Sequence, residues 1–284
     1  MNEVALFTGF LAATLRIATP LLFAATGELV AERAGVLNLG IEGAMLSGAL
    51  AGALAGTAYG PEVGVIAAVV AGMFCGAVVA LVAVRFRADQ VITGTAVTLG
   101  AVGLTGAVYR ATLGSGNREQ TLETLRAPWV LTVLACVAVP LFHYALYHTR
   151  WGLALRATGE DRHAALANGV PVTRVQTTAL LLAGALAGIG GAVLVLGQVG
   201  SFAEKMTAGR GFVAIAIVVL GRWTPFGVLG AALAFGALQA LQFLLQGMGL
   251  DLPYQLFLVL PYAVTLLALA GVMGRARAPA GLGK

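Results

Sequence analysis

Residues 39–58, LGIEGAMLSGALAGALAGTA, and 63–84, VGVIAAVVAGMFCGAVVALVAV, decide the fold. Each matches the roughly 20 apolar residues that a helix needs to cross a bilayer. Glycine recurs at a fixed spacing: Gly48, Gly52, Gly56, Gly60 and Gly64 are four apart, and Gly72/Gly76 and Gly184/Gly188 repeat the interval. In lipid, small faces of this kind let helix backbones approach closely. Gly48, Gly52, Gly56, Gly184 and Gly188 are therefore read as packing positions of a tight helical bundle. No strand periodicity competes with this.

The rest of the chain agrees. Of 284 residues, 59% are apolar and 10% charged, against about 25% charged in a soluble domain, and mean hydropathy is +0.92. So few charges cannot cover the surface of a soluble fold, which excludes a cytosolic enzyme, a disordered chain and a nucleic-acid-binding domain. The net charge of +5 comes from 15 Arg and 2 Lys scattered singly between apolar runs, without a basic stripe. Cys75 and Cys136 each sit inside an apolar run and read as small buried hydrophobes. The first segment lacks a basic n-region and a small-residue cleavage site, so no signal peptide is expected.

The expectation is an all-α, polytopic helical membrane protein of about eight or nine spans, forming one transmembrane domain over 1–284. The apolar runs lie at about 6–29, 39–58, 63–84, 91–110, 129–147, 177–199, 211–221, 225–245 and 254–273. The seventh is half a bilayer long and reads as broken or re-entrant. Thr19-Pro20, Gly27 and Trp223-Thr224-Pro225 suggest further interruptions, which membranes tolerate only where protein or a cavity satisfies the freed backbone. Loop 148–176 is the longest polar connection, 111–127 reads as an external loop, and 274–284 as a disordered cytoplasmic tail. With 148–176 inside, alternation puts eleven Arg and Lys inside and five outside, the latter including Lys205 and Arg210, with Arg16 within the first span. The positive-inside rule then sets the N-terminus outside and the C-terminus inside.

Several chemistries are missing. There is no G-x-x-x-x-G-K-[ST] phosphate loop, no H-E-x-x-H and no C-x-x-C, and none of the three serines lies in G-x-S-x-G. A nucleotide site, a metal site and a nucleophile elbow are not expected on this chain.

Four segments carry the remaining polar residues. In Glu32–Gly48, Asn38 either caps a helix beginning near Leu39, with Glu42 in its first turn where the helix dipole favours a carboxylate, or Asn38 and Glu42 line a substrate path. Glu28, Glu32 and Arg33 read as a charge cluster at a helix end. In Ala88–Gly100, Thr93 and Thr95 either bond back to their own helix or, for Thr93, line the path; Gln90 has a whole amide to satisfy and is the better lining candidate. In Gly197–Gly211, Gln198 is interfacial or lining. In Arg150–Pro171, Thr158 and Asp161 resemble a weak capping box opening a short helix over 160–168, with a small surface at Ala164, Ala165 and Ala167.

In this order and spacing, the four segments resemble the permease subunits of ABC importers for branched-chain amino acids, simple sugars and nucleosides, nearest to the shorter nucleoside type. An ERAGVxNxGxEG-like segment stands at Glu32–Gly43, an NEVxxGxA-like one at Asp89–Ala96, GLxLRAxGE at Gly152–Glu160, and MTAGRGFxAxA…GRWxPxG at Met206–Gly227. The resemblance implies a half-channel that pairs with itself or a similar permease, together with two cytoplasmic ATPase subunits and an extracytoplasmic substrate-binding protein. ATP and Mg would then sit on the partner ATPases, with no cofactor on this chain. It also implies that the helix after Gly159-Glu160 is the coupling helix seated in an ATPase groove, which makes Arg156, Gly159, Glu160, Asp161, Ala164 and Ala165 the coupling residues. One departure stands out: an Asn-Pro-like step commonly follows Gly-Glu, and this chain reads Asp161-Arg162-His163. The expected solute is small, neutral and polar, a nucleoside before a simple sugar. The rival reading is an ion-coupled secondary transporter using Glu42 or Glu28.

Overall fold

The computed structural model describes residues 3–112, 122, 124–247, 278–283 and the single positions 259, 263 and 270. Apart from those single positions, the run 254–273 lies outside the described residues, as do most of loop 111–127 and residues 274–277. Ten helices and no strand occur among the described residues: α1 Glu3–Arg33, α2 Ile41–Tyr59, α3 Pro61–Arg85, α4 Gln90–Thr112, α5 Trp129–His148, α6 Arg150–Glu160, α7 Arg162–Ala167, α8 Val172–Val199, α9 Arg210–Leu220 and α10 Pro225–Gly247. Seven are long and apolar enough to cross a membrane.

Local chemistry sets the boundaries. Gly60, at φ 95°, lets the chain reverse between α2 and α3, and Pro61 occupies the first turn of α3, where its missing N–H is no loss. Asp89 accepts from Ile92 N at 2.8 Å before α4, and Thr149 from Gly152 N at 3.1 Å before α6. The last turns of α3 and α8 widen to i→i+5 bonding over Ala80–Arg85 and Val193–Val199.

The core is formed by α8, α2 and the second half of α1, and glycine allows its closest contacts. A Cβ on Gly48 would stand 2.6 Å from Gly188 Cα, while one on Gly188 would collide with Ala68 O and one on Gly184 with Gly72 O. Gly52 is less crowded, its nearest neighbours 3.5 Å away, and Gly56 meets only the flexible end of Leu196 at 3.0 Å. The equal spacing therefore hides unequal packing.

Two of the expected interruptions are absent, because α1 runs unbroken through Pro20 and Gly27. Proline cannot donate to the carbonyl four residues back, and Gln198 Nε2 on α8 donates to that carbonyl, Arg16 O, instead. Gly27 serves close approach: a Cβ there would lie 2.9 Å from Ala183 O. The third interruption is real, since Arg222 and Trp223 both adopt left-handed φ between α9 and α10.

The short α9 belongs to a broken crossing. Phe202 packs on Tyr109 near the last turns of α4, with ring centroids 5.4 Å apart, whereas Gly211 lies against Glu42 and Trp223 against Glu32. Residues 200–220 thus traverse the bundle as an irregular stretch followed by an eleven-residue helix. Arg210, expected in an external loop, stands at the first position of α9 and donates to Met206 O at 3.0 Å.

Candidate functional site

Glu42 is the centre of the first constellation. Its Oε1 accepts from Thr207 Oγ1 at 2.6 Å and Gly209 N at 2.9 Å, and its Oε2 from Gly211 N at 2.6 Å. The glutamate is 6% exposed. Lys205, Ala208 and Gly209 all take left-handed φ in the loop that supplies these donors, a conformation costly for the two non-glycine residues. The carboxylate compensates by collecting the N–H groups that this strained turn points inward. Glu42 is thus a latch between the start of α2 and the entry to α9.

A second latch lies at the other end of α9. Glu28 Oε1 accepts from Asn38 N at 3.0 Å, Trp223 donates its indole N–H to Glu32 Oε2, and Arg33 Nε donates to Trp223 O at 2.7 Å. The Glu28/Glu32/Arg33 cluster therefore bonds outward, to the turn before α2 and to the α9–α10 turn. Asn38 does not cap the helix directly. Gly40 is the N-cap, and Asn38 Oδ1 accepts from Gly40 N at 3.2 Å, an Asx-type turn leading into it.

The α4 start closes on the same region. Gln90 Oε1 accepts from Leu37 N at 2.8 Å, Thr98 Oγ1 donates to Leu39 O at 2.9 Å, and Thr93 bonds back to Asp89 O at 2.7 Å. Of the proposed path residues, Asn38, Glu42, Gln90 and Thr93 are thus gathered around the start of α2. Gln198 is not among them, being at the far end of α8 beside Arg16. The donors Thr207 and Gln176, whose Nε2 reaches Ala34 O at 3.2 Å, are not singled out by the sequence, which marks Trp223 only as part of an interruption. The available signal was polar side chains set in otherwise apolar runs.

The third constellation is the elbow of α6 and α7. Thr158 is inside α6, its Oγ1 bonded to Ala154 O at 2.8 Å, so it opens no helix. Asp161 is the cap, accepting from His163 N at 2.8 Å and Ala164 N at 3.0 Å, and α7 is correspondingly shorter than 160–168. Arg156 lies over the Tyr147 ring at 4.9 Å, Gly159 packs on Arg33–Gly35, and Ala165 is buried. These three frame the elbow, while Glu160, Asp161 and Ala164 are on its surface. The two backbone donors hold the Asp161 carboxyl below its usual 3.8. A lowered folded-state value means that the cap contributes at neutral pH and is lost as pH falls through that value. Protection of the α7 amides against hydrogen exchange, taken relative to the intrinsic rate at each pH, should therefore fall in acid, and Asp161→Ala should lower it already at pH 7. Equal exchange in variant and parent at pH 7 would refute the cap.

All four sequence segments thus meet across two latches and an elbow. A family model described as the permease component of branched-chain amino acid transport systems matches residues 10–269. The chain belongs to this permease family. Relatives of the permease include the guanosine ABC transporter permease NupQ of Bacillus subtilis, 32% identical over 98% of this chain and 96% of the relative. The nucleoside ABC transporter permease NupC of Lactococcus lactis is 29% identical over the same shares. The putative glucose ABC transporter permease TsgC13 of Haloferax volcanii is 37% identical over 86% of this chain and 80% of the relative. No solved structure is a significant match. With seven apolar spans among the described residues, the permease is a multi-pass protein of the plasma membrane.

Proposed function

We propose that the permease moves a small neutral polar solute inward, a nucleoside before a simple sugar, as the membrane subunit of an ATP-driven importer. The observation that carries this reading is the match, over nearly the whole of both chains, to permeases named for guanosine and nucleosides. The chain has no phosphate loop, so ATP and Mg belong to separate ATPase subunits. Those subunits would dock on the exposed side of the elbow, at Glu160, Asp161 and Ala164. A second permease subunit and an external solute-binding protein would complete the importer. ATP binding would draw the ATPases together, and the bundle would rock around its path as a packed two-state body. The few charges within the spans suit an uncharged solute, whose selection would rest with the external protein.

The test is uptake into proteoliposomes containing the permease, its candidate ATPases and binding protein. Labelled nucleoside should accumulate only with ATP and Mg, and unlabelled nucleoside should compete better than ribose or leucine. Uptake by the permease alone, driven by an ion gradient and without an ATPase bound, would sink the reading in favour of a secondary transporter.

A further inference from the structure

Residues 278–283 do not trail away from the bundle. Gly281 N donates to Gly159 O at 2.8 Å, and Ala280 N to Glu160 Oε2 at 3.3 Å. Pro279 is buried, and Leu282 packs against the main core cluster. Three backbones meet here: a Cβ on Gly35 would lie 3.2 Å from Gly159 Cα and 3.4 Å from Gly281 O, and one on Gly281 would lie 2.9 Å from Gly159 O. The segment is thus bonded across the α6–α7 joint while the opposite side of that joint rests on the end of α1.

α6 is packed into the bundle through Gly152, Leu155 and Thr158, whereas α7 has little else to hold it. Ala165 is the buried side chain of α7, and on the side of the α3–α4 turn the elbow faces a cavity of about 850 Å³ lined by Arg87, Gln90, Asp161 and His163, with Gly281 on its wall. Force applied to α7 would turn this weakly held helix into that space. We propose that residues 278–283 are a positioning strap, which makes the elbow and the end of α1 one body so that movement of α7 is delivered to the bundle. This rests on the importer reading above, in which α7 receives that movement.

The strap makes a prediction that a removable lid or an incidental contact does not. Deleting 278–283 should leave the ATPase subunits bound but lower the solute moved per ATP hydrolysed by at least about fivefold, the lower end of ordinary coupling between sites. A deletion that leaves this ratio unchanged would overturn the proposal. Should the deletion impair folding, Gly281→Val displaces the strap without shortening the chain and should give the same loss; an unchanged ratio overturns the proposal equally. If the parent permease binds no ATPase, the importer reading itself falls. Exchange of the α7 amides then decides the strap, since removal must accelerate it.

Discussion

Gly188→Val is expected to abolish recovery of folded permease from the membrane. The position has no room for even one carbon: a Cβ would collide with Ala68 O and lie 3.2 Å from Gly72 Cα, and Gly48 approaches from another side. All of these neighbours are backbone, so no rotamer change relieves the clash and helices α2, α3 and α8 must separate. Overpacking among movable side chains costs about 1–3 kcal/mol; against backbone on several sides, the cost should reach about 4 kcal/mol or more. Gly188→Ala should behave similarly but less severely. The comparison that gives the test its force is Gly100→Ala in α4, where nothing lies within 4 Å; it should be neutral or stabilising by up to about 1 kcal/mol. Thermal stability followed by size exclusion in detergent reads both. Equal tolerance at positions 188 and 100 would show that the three helices do not pack through these glycines.

Glu42→Ala should have the second-largest effect. It leaves the Thr207 hydroxyl and the amides of Gly209 and Gly211 without their acceptor, and each buried unsatisfied donor costs about 1–3 kcal/mol. The loss should total about 3–9 kcal/mol before relaxation, lowering thermal stability and reducing uptake at least about tenfold, the equivalent of only 1.4 kcal/mol. Glu42→Gln, which keeps one acceptor oxygen but turns an amide toward donors, should fall in between. If Glu42 served only to touch solute, apparent solute affinity would change while thermal stability stayed at the parental value. That outcome would remove the latch.

The order of the helices could be read from the chain because hydrophobic runs of membrane length have one dominant solution. The runs at 39–58 and 63–84 correspond to α2 and α3 to within a few residues. The bonds between segments could not be read in this way. Glu42 satisfies the helix-dipole pattern as an ordinary first-turn residue, and nothing local says that its oxygens meet a loop some 165 residues later. Thr158 and Asp161 have the spacing of a capping box, yet α6 simply continues through Thr158, and the cap forms at the later residue. Glycine spacing located the faces but not their crowding, which depends on what crosses each residue; hence Gly188 is sealed while Gly52 is comfortable. The polar, proline-containing stretch 274–284 suggested disorder by composition, whereas Gly281 and Leu282 find their partners only in the assembled fold.

Pro20 and Gln198 have a consequence for sliding. A carbonyl orphaned by proline inside one helix is supplied with a donor by the side chain of another, at the same seam where Gly190 approaches Pro20 O and Gly27 approaches Ala183 O. A one-turn slip of α8 along α1 would draw the Gln198 amide away from Arg16 O and bring side chains where Gly190 and Gly27 now meet backbone carbonyls. The two helices are therefore keyed like a tooth in a notch. They can tilt as a pair, but neither can ratchet past the other.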